Sequence, residues 1–226
     1  KVKSDIDIFQ IDDGYQSATG DWLSIDNKKF PNGMKSVADK IHATGMLAGL
    51  WLAPFGAEFT SKTATQHHDW LIRKKNGHPV TCGINWGGFY ALDIEVPEVK
   101  HFFDVILNDW GFDLVKLDFL YAAAIIPNHG KSRGQLMCEA MDFLRECVGE
   151  KMILGCGVPL MPAFGKVDYC RIGADMGLRW KVPFFSNREF ISTYHTLGNS
   201  IFRRQLDGRA FLNDPDVFLL RDENIH

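Results

Sequence analysis

The stretch Leu114-Val115-Lys116-Leu117-Asp118-Phe119-Leu120 is apolar except for two charges. Read as a strand, it sends Lys116 and Asp118 to one side, because side chains alternate with a period of two. A carboxylate buried in such a run is costly without a partner. One reading is a Lys116–Asp118 ion pair within the core. The other is a working carboxylate whose pKa Lys116 lowers, keeping it ionised as a nucleophile.

The surrounding chain repeats this layout. Strand-like runs over residues 6–11, 46–53, 152–156, 168–172 and 216–220 alternate with helical spacing. The helical faces are Met34, Val37, Ala38 and Ile41; then Val99, Phe102, Phe103 and Ile106 behind Pro97; then Met137, Ala140, Met141, Leu144 and Val148. A further helix is expected over residues 188–203. Such alternation predicts a parallel sheet with crossover helices. Polar or aromatic residues gather at the carboxyl ends of the strands: Asp12-Asp13, Trp51, Lys116 with Asp118, Cys156, and Arg171 with Asp175. Ligand sites of parallel α/β proteins form at that edge, above all in eight-stranded barrels. A doubly wound sheet would carry a glycine-rich phosphate loop after an early strand, and none is present. The expected fold is therefore α/β, with the site layout favouring a barrel over a doubly wound sheet. No linker or repeat interrupts it, so residues 1–226 are read as one domain.

Composition narrows the function. With 46% hydrophobic residues in 226, the chain can bury a sizeable core. A formal net charge of −3 supplies no basic field for nucleic acid. The longest apolar run, around residues 45–53, is too short to span a bilayer, so no membrane partner is expected. The first residues carry no export signal, and five widely spaced cysteines fit free thiols in a reducing compartment. A cytoplasmic location follows as the expectation.

Asp175 is a loop aspartate four residues beyond Arg171, a position that often only caps a turn. Its interest is as a second carboxylate at the same edge as Asp118. Two carboxyl groups about 5–5.5 Å apart define a retaining glycosidase, and about 6.5–9.5 Å an inverting one. Asp12 and Asp13 could cap a turn or accept a pair of sugar hydroxyls, and Trp51 could be core or pack against a sugar. The adjacent His67 and His68 point apart with no third ligand evident, so no metal and no cofactor is expected. No Gly-x-Ser-x-Gly elbow supports a serine hydrolase.

Several segments, in order and over nearly the whole chain, resemble the α-galactosidases of glycoside hydrolase family 36. They are Ile11-Asp12-Asp13-Gly14-Tyr15-Gln16, Gly20-Asp21-Trp22, Lys29-Phe30-Pro31-Asn32-Gly33, Gly45-Met46-Leu47-Ala48-Gly49-Leu50-Trp51 and Ala91-Leu92-Asp93. The set continues with Val115-Lys116-Leu117-Asp118-Phe119, Gly155-Cys156-Gly157, Arg171-Ile172-Gly173-Ala174-Asp175 and Asn213-Asp214-Pro215-Asp216. The resemblance implies a (β/α)8 barrel and a retaining double displacement on α-galactoside oligosaccharides. It assigns Asp118 as nucleophile and Asp175 as acid/base. It gives Asp12 and Asp13 to the galactose O4 and O6 hydroxyls, Lys116 to another ring hydroxyl, Arg171 to orienting the site, and Trp51 and Cys156 to the pocket lining. It also implies that the (β/α)8 TIM-barrel is incomplete at one or both ends and that the chain is a piece of a larger multidomain enzyme, for which a homo-oligomer stays open.

Two departures stand out. Tyr15 replaces a frequent tryptophan, and Trp86-Gly87-Gly88-Phe89-Tyr90 stands where many members carry an arginine. The rival readings are a transferase of the raffinose-synthase type, a catalytically silent carbohydrate-binding barrel and, more remotely, a metal-dependent hydrolase on the same fold.

Overall fold

The computed structural model describes residues 6–177, 180 and 191–217. In chain order the elements are β1 (Ile8–Ile11), α1 (Gly33–His42), β2 (Leu47–Leu52), β3 (Gly56–Ala57), α2 (Lys62–Gln66), β4 (Thr81–Cys82), β5 (Phe89–Ala91) and α3 (Glu98–Asp104). They continue with β6 (Leu114–Leu117), α4 (Arg133–Val148), β7 (Met152–Gly155), α5 (Leu160–Ala163), β8 (Tyr169–Arg171), α6 (Thr193–Arg203) and β9 (Leu212–Asp214).

Among the described residues, six strands form one parallel sheet in the order β1-β2-β6-β7-β8-β9. Strand order never reverses along the sheet, which separates it from a doubly wound fold. Right-handed crossovers in one constant direction put the helices on one face and curl the sheet. The architecture is a partial (β/α) barrel. β2 is buried from Ala48 to Leu52, as expected of a parallel strand covered on both faces. Its helical cover includes Met34, Ala38 and Ile41 of α1, and α4 contributes Leu136, Met137, Ala140, Met141, Leu144 and Val148 to the same core. α4 starts at a capping box in which Ser132 and Gln135 satisfy each other's backbone.

Two aspartates that the sequence reading passed over fasten the amino ends of the strands. Asp113 Oδ2 accepts the Ala48 N–H at 3.0 Å and meets His42 Nε2 at 2.7 Å, while its Oδ1 accepts from Lys151 Nζ at 3.1 Å. Asp168 repeats the device one strand pair further on, accepting the Ile153 N–H and Arg145 Nη2, each at 2.8 Å. Each carboxylate thus precedes one strand and caps the start of the strand beside it. Stability is built at this end of the barrel, opposite the end where the sequence placed function.

Some expectations need correction. The run 114–120 is strand only to Leu117, because Phe119 adopts a left-handed backbone (φ 50°) and a short helical turn, Leu120–Ala124, follows. Among the described residues the last strand is Leu212–Asp214; of the strand expected over 216–220, Asp216 and Val217 are not strand and residues 218–220 lie outside the described ones. The helix expected over 188–203 begins at Thr193, capped by the Ser192 hydroxyl, with residues 188–190 outside the described ones. The polar stretch between β2 and α3 holds a small antiparallel sheet, β3-β5-β4, with no counterpart in the sequence reading. Among the described residues, no helix is long and apolar enough to cross a membrane.

Candidate active site

A cleft of about 510 Å³ opens at the carboxyl ends of the parallel strands. Asp12, Asp13, Trp51, Lys116, Asp118, Arg171 and Asp175 all line it, so seven of the eight residues singled out in the sequence meet there. The eighth, Cys156, is buried and close enough to feel the charge of Asp118. Burial, and then the charge of Asp118, push the Cys156 thiol well up, which keeps it protonated.

Asp118 occupies the first position past β6. Its backbone N–H still joins the ladder, bonding the Leu52 carbonyl at 2.7 Å. The left-handed turn at Phe119 then folds the chain so that the Phe119 N–H reaches Asp118 Oδ1 at 2.7 Å. Trp51 Nε1 donates to Oδ2 at 3.2 Å. Gly157, itself left-handed (φ 61°), passes over this turn; a Cβ there would stand 3.1 Å from the Phe119 N and Cα. Backbone and indole thus fix the carboxylate.

Lys116 does not pair with Asp118. Its ammonium donates to Asp12 Oδ2 at 2.8 Å, an oxygen that also accepts from Gln10 Nε2 at 2.8 Å. Burial works against the ammonium, but the hydrogen bond and charge of Asp12, with Asp118 at longer range, raise its pKa above the ordinary lysine value. Asp12 Oδ1 accepts the Asp13 N–H at 2.9 Å, and Asp13 Oδ1 accepts from Gln16 Nε2 at 2.7 Å. The tandem aspartates are therefore held in a fixed fan at the strand end.

Arg171 anchors the far side with its side chain 7% exposed. It bonds Asp175 Oδ1 at 2.6 Å, Asp216 Oδ1 at 2.6 Å and Asp214 Oδ2 at 3.3 Å. Burial opposes its charge, but the carboxylates of Asp214, Asp216 and Asp175 outweigh burial and drive the guanidinium further up. Three carboxylates on one guanidinium leave an excess of negative charge. Asp175 is the most exposed of the three, at 40% of its side chain. Asp216 is held with φ 82°, its N–H bonded to Asp214 Oδ1.

The cleft also takes in Thr19, Glu58, Trp86, Gly88, Phe89, Phe119, Met176, Asp216 and Val217, which the sequence reading gave no role. Asp214 and Asp216 had a visible signal, the Asn-Asp-Pro-Asp cluster near the chain end. Trp86 had one too, since it opens the stretch that stands where many family members carry an arginine, whereas Glu58 had none, because the irregular segment after β2 hides which of its residues reach the strand ends.

A melibiase family model matches residues 1–137 of the chain. Over 124 residues the chain is 32% identical to the A type blood alpha-D-galactosamine galactosaminidase of Flavonifractor plautii, which is 50% of this chain and 11% of that protein. It is 33% identical over 127 residues to the alpha-galactosidase Mel36A of Lactobacillus acidophilus, 51% of this chain and 17% of that one. Among solved structures, the alpha-galactosidase TtGalA of Thermus thermophilus, in complex with p-nitrophenyl alpha-D-galactopyranoside, matches with a TM-score of 0.84. That match has 36% identity and covers 96% of this chain and 46% of the Thermus chain. The chain thus spans only part of each relative's length.

Proposed function

Because the chain belongs to the melibiase family, we propose that it forms the catalytic barrel of a retaining glycoside hydrolase removing terminal α-galactosyl groups. One observation carries the reading. Asp118 and Asp175 follow the ends of different strands, β6 and β8, yet face one cleft, the first fixed by N–H donors and the second in a cluster with surplus negative charge. That asymmetry suits a nucleophile held in one orientation and an acid/base more open to solvent.

In the cycle, Asp175 donates its proton to the glycosidic oxygen as an Asp118 oxygen attacks the anomeric carbon. The bond to the leaving group breaks, and a β-linked galactosyl ester forms through an oxocarbenium-like transition state. Water then enters, Asp175 takes its proton, and the ester breaks to release α-galactose and free Asp118. Asp12 and Asp13 accept hydroxyls of the galactosyl ring, Lys116 holds Asp12 in place and reaches a further hydroxyl, and Arg171 positions Asp175. The six parallel strands belong, on this reading, to an eight-stranded barrel.

Proton NMR of the first sugar released from an aryl α-galactoside tests the mechanism. Retention gives α-galactose first, with the β anomer appearing only by mutarotation. Initial β-galactose would mean inversion.

A further inference from the structure

We infer that Trp86 is the platform on which the group beyond the scissile oxygen stacks, so that the protein favours α-galactosides whose leaving group is itself a ring. The inference rests on the hydrolase reading and extends it to the mouth of the same cleft.

Trp86 lines the cleft with Asp118 yet is 51% exposed. The cleft floor is different in character: Trp51, Lys116 and Arg171 are largely buried and bring charge and hydrogen bonds. A galactosyl ring, rich in hydroxyls, belongs with that floor. Toward solvent the lining offers the exposed ring of Trp86 and the half-buried ring of Phe119, backed by the buried Phe89, and the same cleft takes in the Glu58 carboxylate. An aromatic wall takes the hydroxyl-poor face of a sugar or the face of an aryl group, and a nearby carboxylate accepts a hydroxyl.

The ring is held in place rather than left adaptable. It meets Phe119 edge-on, with ring centroids 5.5 Å apart and planes at 73°. It ends a short helical turn, Ile84–Trp86, bracketed by left-handed Gly83 (φ 62°) and Gly87 (φ 91°). A Cβ on Gly83 would fall 2.2 Å from Phe89 Cε1, so no other residue fits there. The Gly83 carbonyl accepts the N–H groups of Trp86 at 2.8 Å and Gly88 at 3.0 Å, closing the turn. The Gly83 N–H donates to Tyr121 Oη at 3.0 Å, and Tyr121 belongs to the turn that follows Asp118. The same segment therefore shapes the nucleophile and fixes the platform. A rigid, half-open tryptophan in a reactive cleft leaves apolar surface in water until a ligand covers it.

The test is calorimetric titration of the intact protein with two hydrolysis-resistant ligands, methyl and phenyl 1-thio-α-galactoside. The wild type is expected to bind the phenyl compound about tenfold more tightly. Trp86→Ala should bring that ratio close to one with the methyl Kd unchanged, and Trp86→Phe should keep part of the preference. The inference is overturned if Trp86→Ala keeps the wild-type ratio, or if both ligands weaken equally in Trp86→Ala and Trp86→Phe, since the ring would then only support the turn. Hydrolysis of p-nitrophenyl α-galactoside is read separately. A Trp86-dependent ratio without any hydrolysis sinks the hydrolase reading and leaves the platform standing. Binding of neither ligand sinks both.

Discussion

Replacing Trp51 with phenylalanine removes the indole N–H that reaches Asp118 Oδ2 at 3.2 Å. A hydrogen bond to a charged group contributes about 1.5–3 kcal/mol, and this length places it near the lower end. In the proposed double displacement, the bond matters most when Asp118 carries full charge, before attack and again as the galactosyl ester breaks. Its loss therefore raises the free carboxylate relative to the ester, and breakdown of the intermediate slows more than its formation. About 1.4 kcal/mol corresponds to tenfold. Trp51→Phe is accordingly expected to lower kcat about tenfold, lower KM with it, and give a burst of nitrophenol from p-nitrophenyl α-galactoside in rapid-mixing experiments. Trp51 is buried edge-on against Trp22 at 5.8 Å, so the smaller ring also leaves a void costing about 1–3 kcal/mol of stability. Turnover should therefore be measured well below the melting midpoint of the variant. An unchanged kcat without a burst would refute the role given to the indole N–H.

At the other end of the barrel, Asp113→Asn should cost about 2–4 kcal/mol in urea unfolding at neutral pH, because an amide cannot accept from Ala48, His42 and Lys151 together. Burial alone would raise the Asp113 carboxyl, but those three donors outweigh it and hold its pKa below the ordinary value. A lowered folded-state pKa gives stability that is present above about pH 4 and lost as pH falls through the folded value. Wild-type unfolding midpoints should drop in that acidic window, and the drop should be smaller in Asp113→Asn. Tyr15 is fully buried, and its hydroxyl meets no partner among the described residues. Tyr15→Phe should therefore leave the melting temperature unchanged or raise stability by up to about 1 kcal/mol, and a loss above about 2 kcal/mol would reveal a hydrogen bond not accounted for.

Strand existence was legible wherever parallel strands are buried on both faces. The runs 46–53 and 152–156 announce themselves as continuous apolar stretches, and the structure trims each by only a residue or two. β9 could not be found this way. Leu212-Asn213-Asp214 is three residues long and mostly polar, and only its pairing with β8 makes it a strand. β3 and β4 are two-residue pieces whose sequences carry no period. The convergence of Asp118 and Asp175 on one cleft was readable because strand ends of a parallel sheet share an edge. Pairing was not readable. Alternation puts Lys116 and Asp118 on one side, but Lys116 follows the register toward β1 and meets Asp12, while the left-handed turn at Phe119 carries Asp118 to backbone and indole donors. Arg171 likewise looked like a companion of Asp175 alone, four residues away, and serves two more carboxylates brought in by β9 and the residues after it.

The central claim is that Asp118 forms a covalent bond to the sugar. Asp118→Ala, assayed on an aryl α-galactoside with and without azide, tests it most directly. Turnover should fall by at least about a thousandfold, and azide, small enough to enter the space left by the carboxylate, should yield a β-galactosyl azide. Wild-type turnover in the variant, or an azide product of α configuration, would contradict the account.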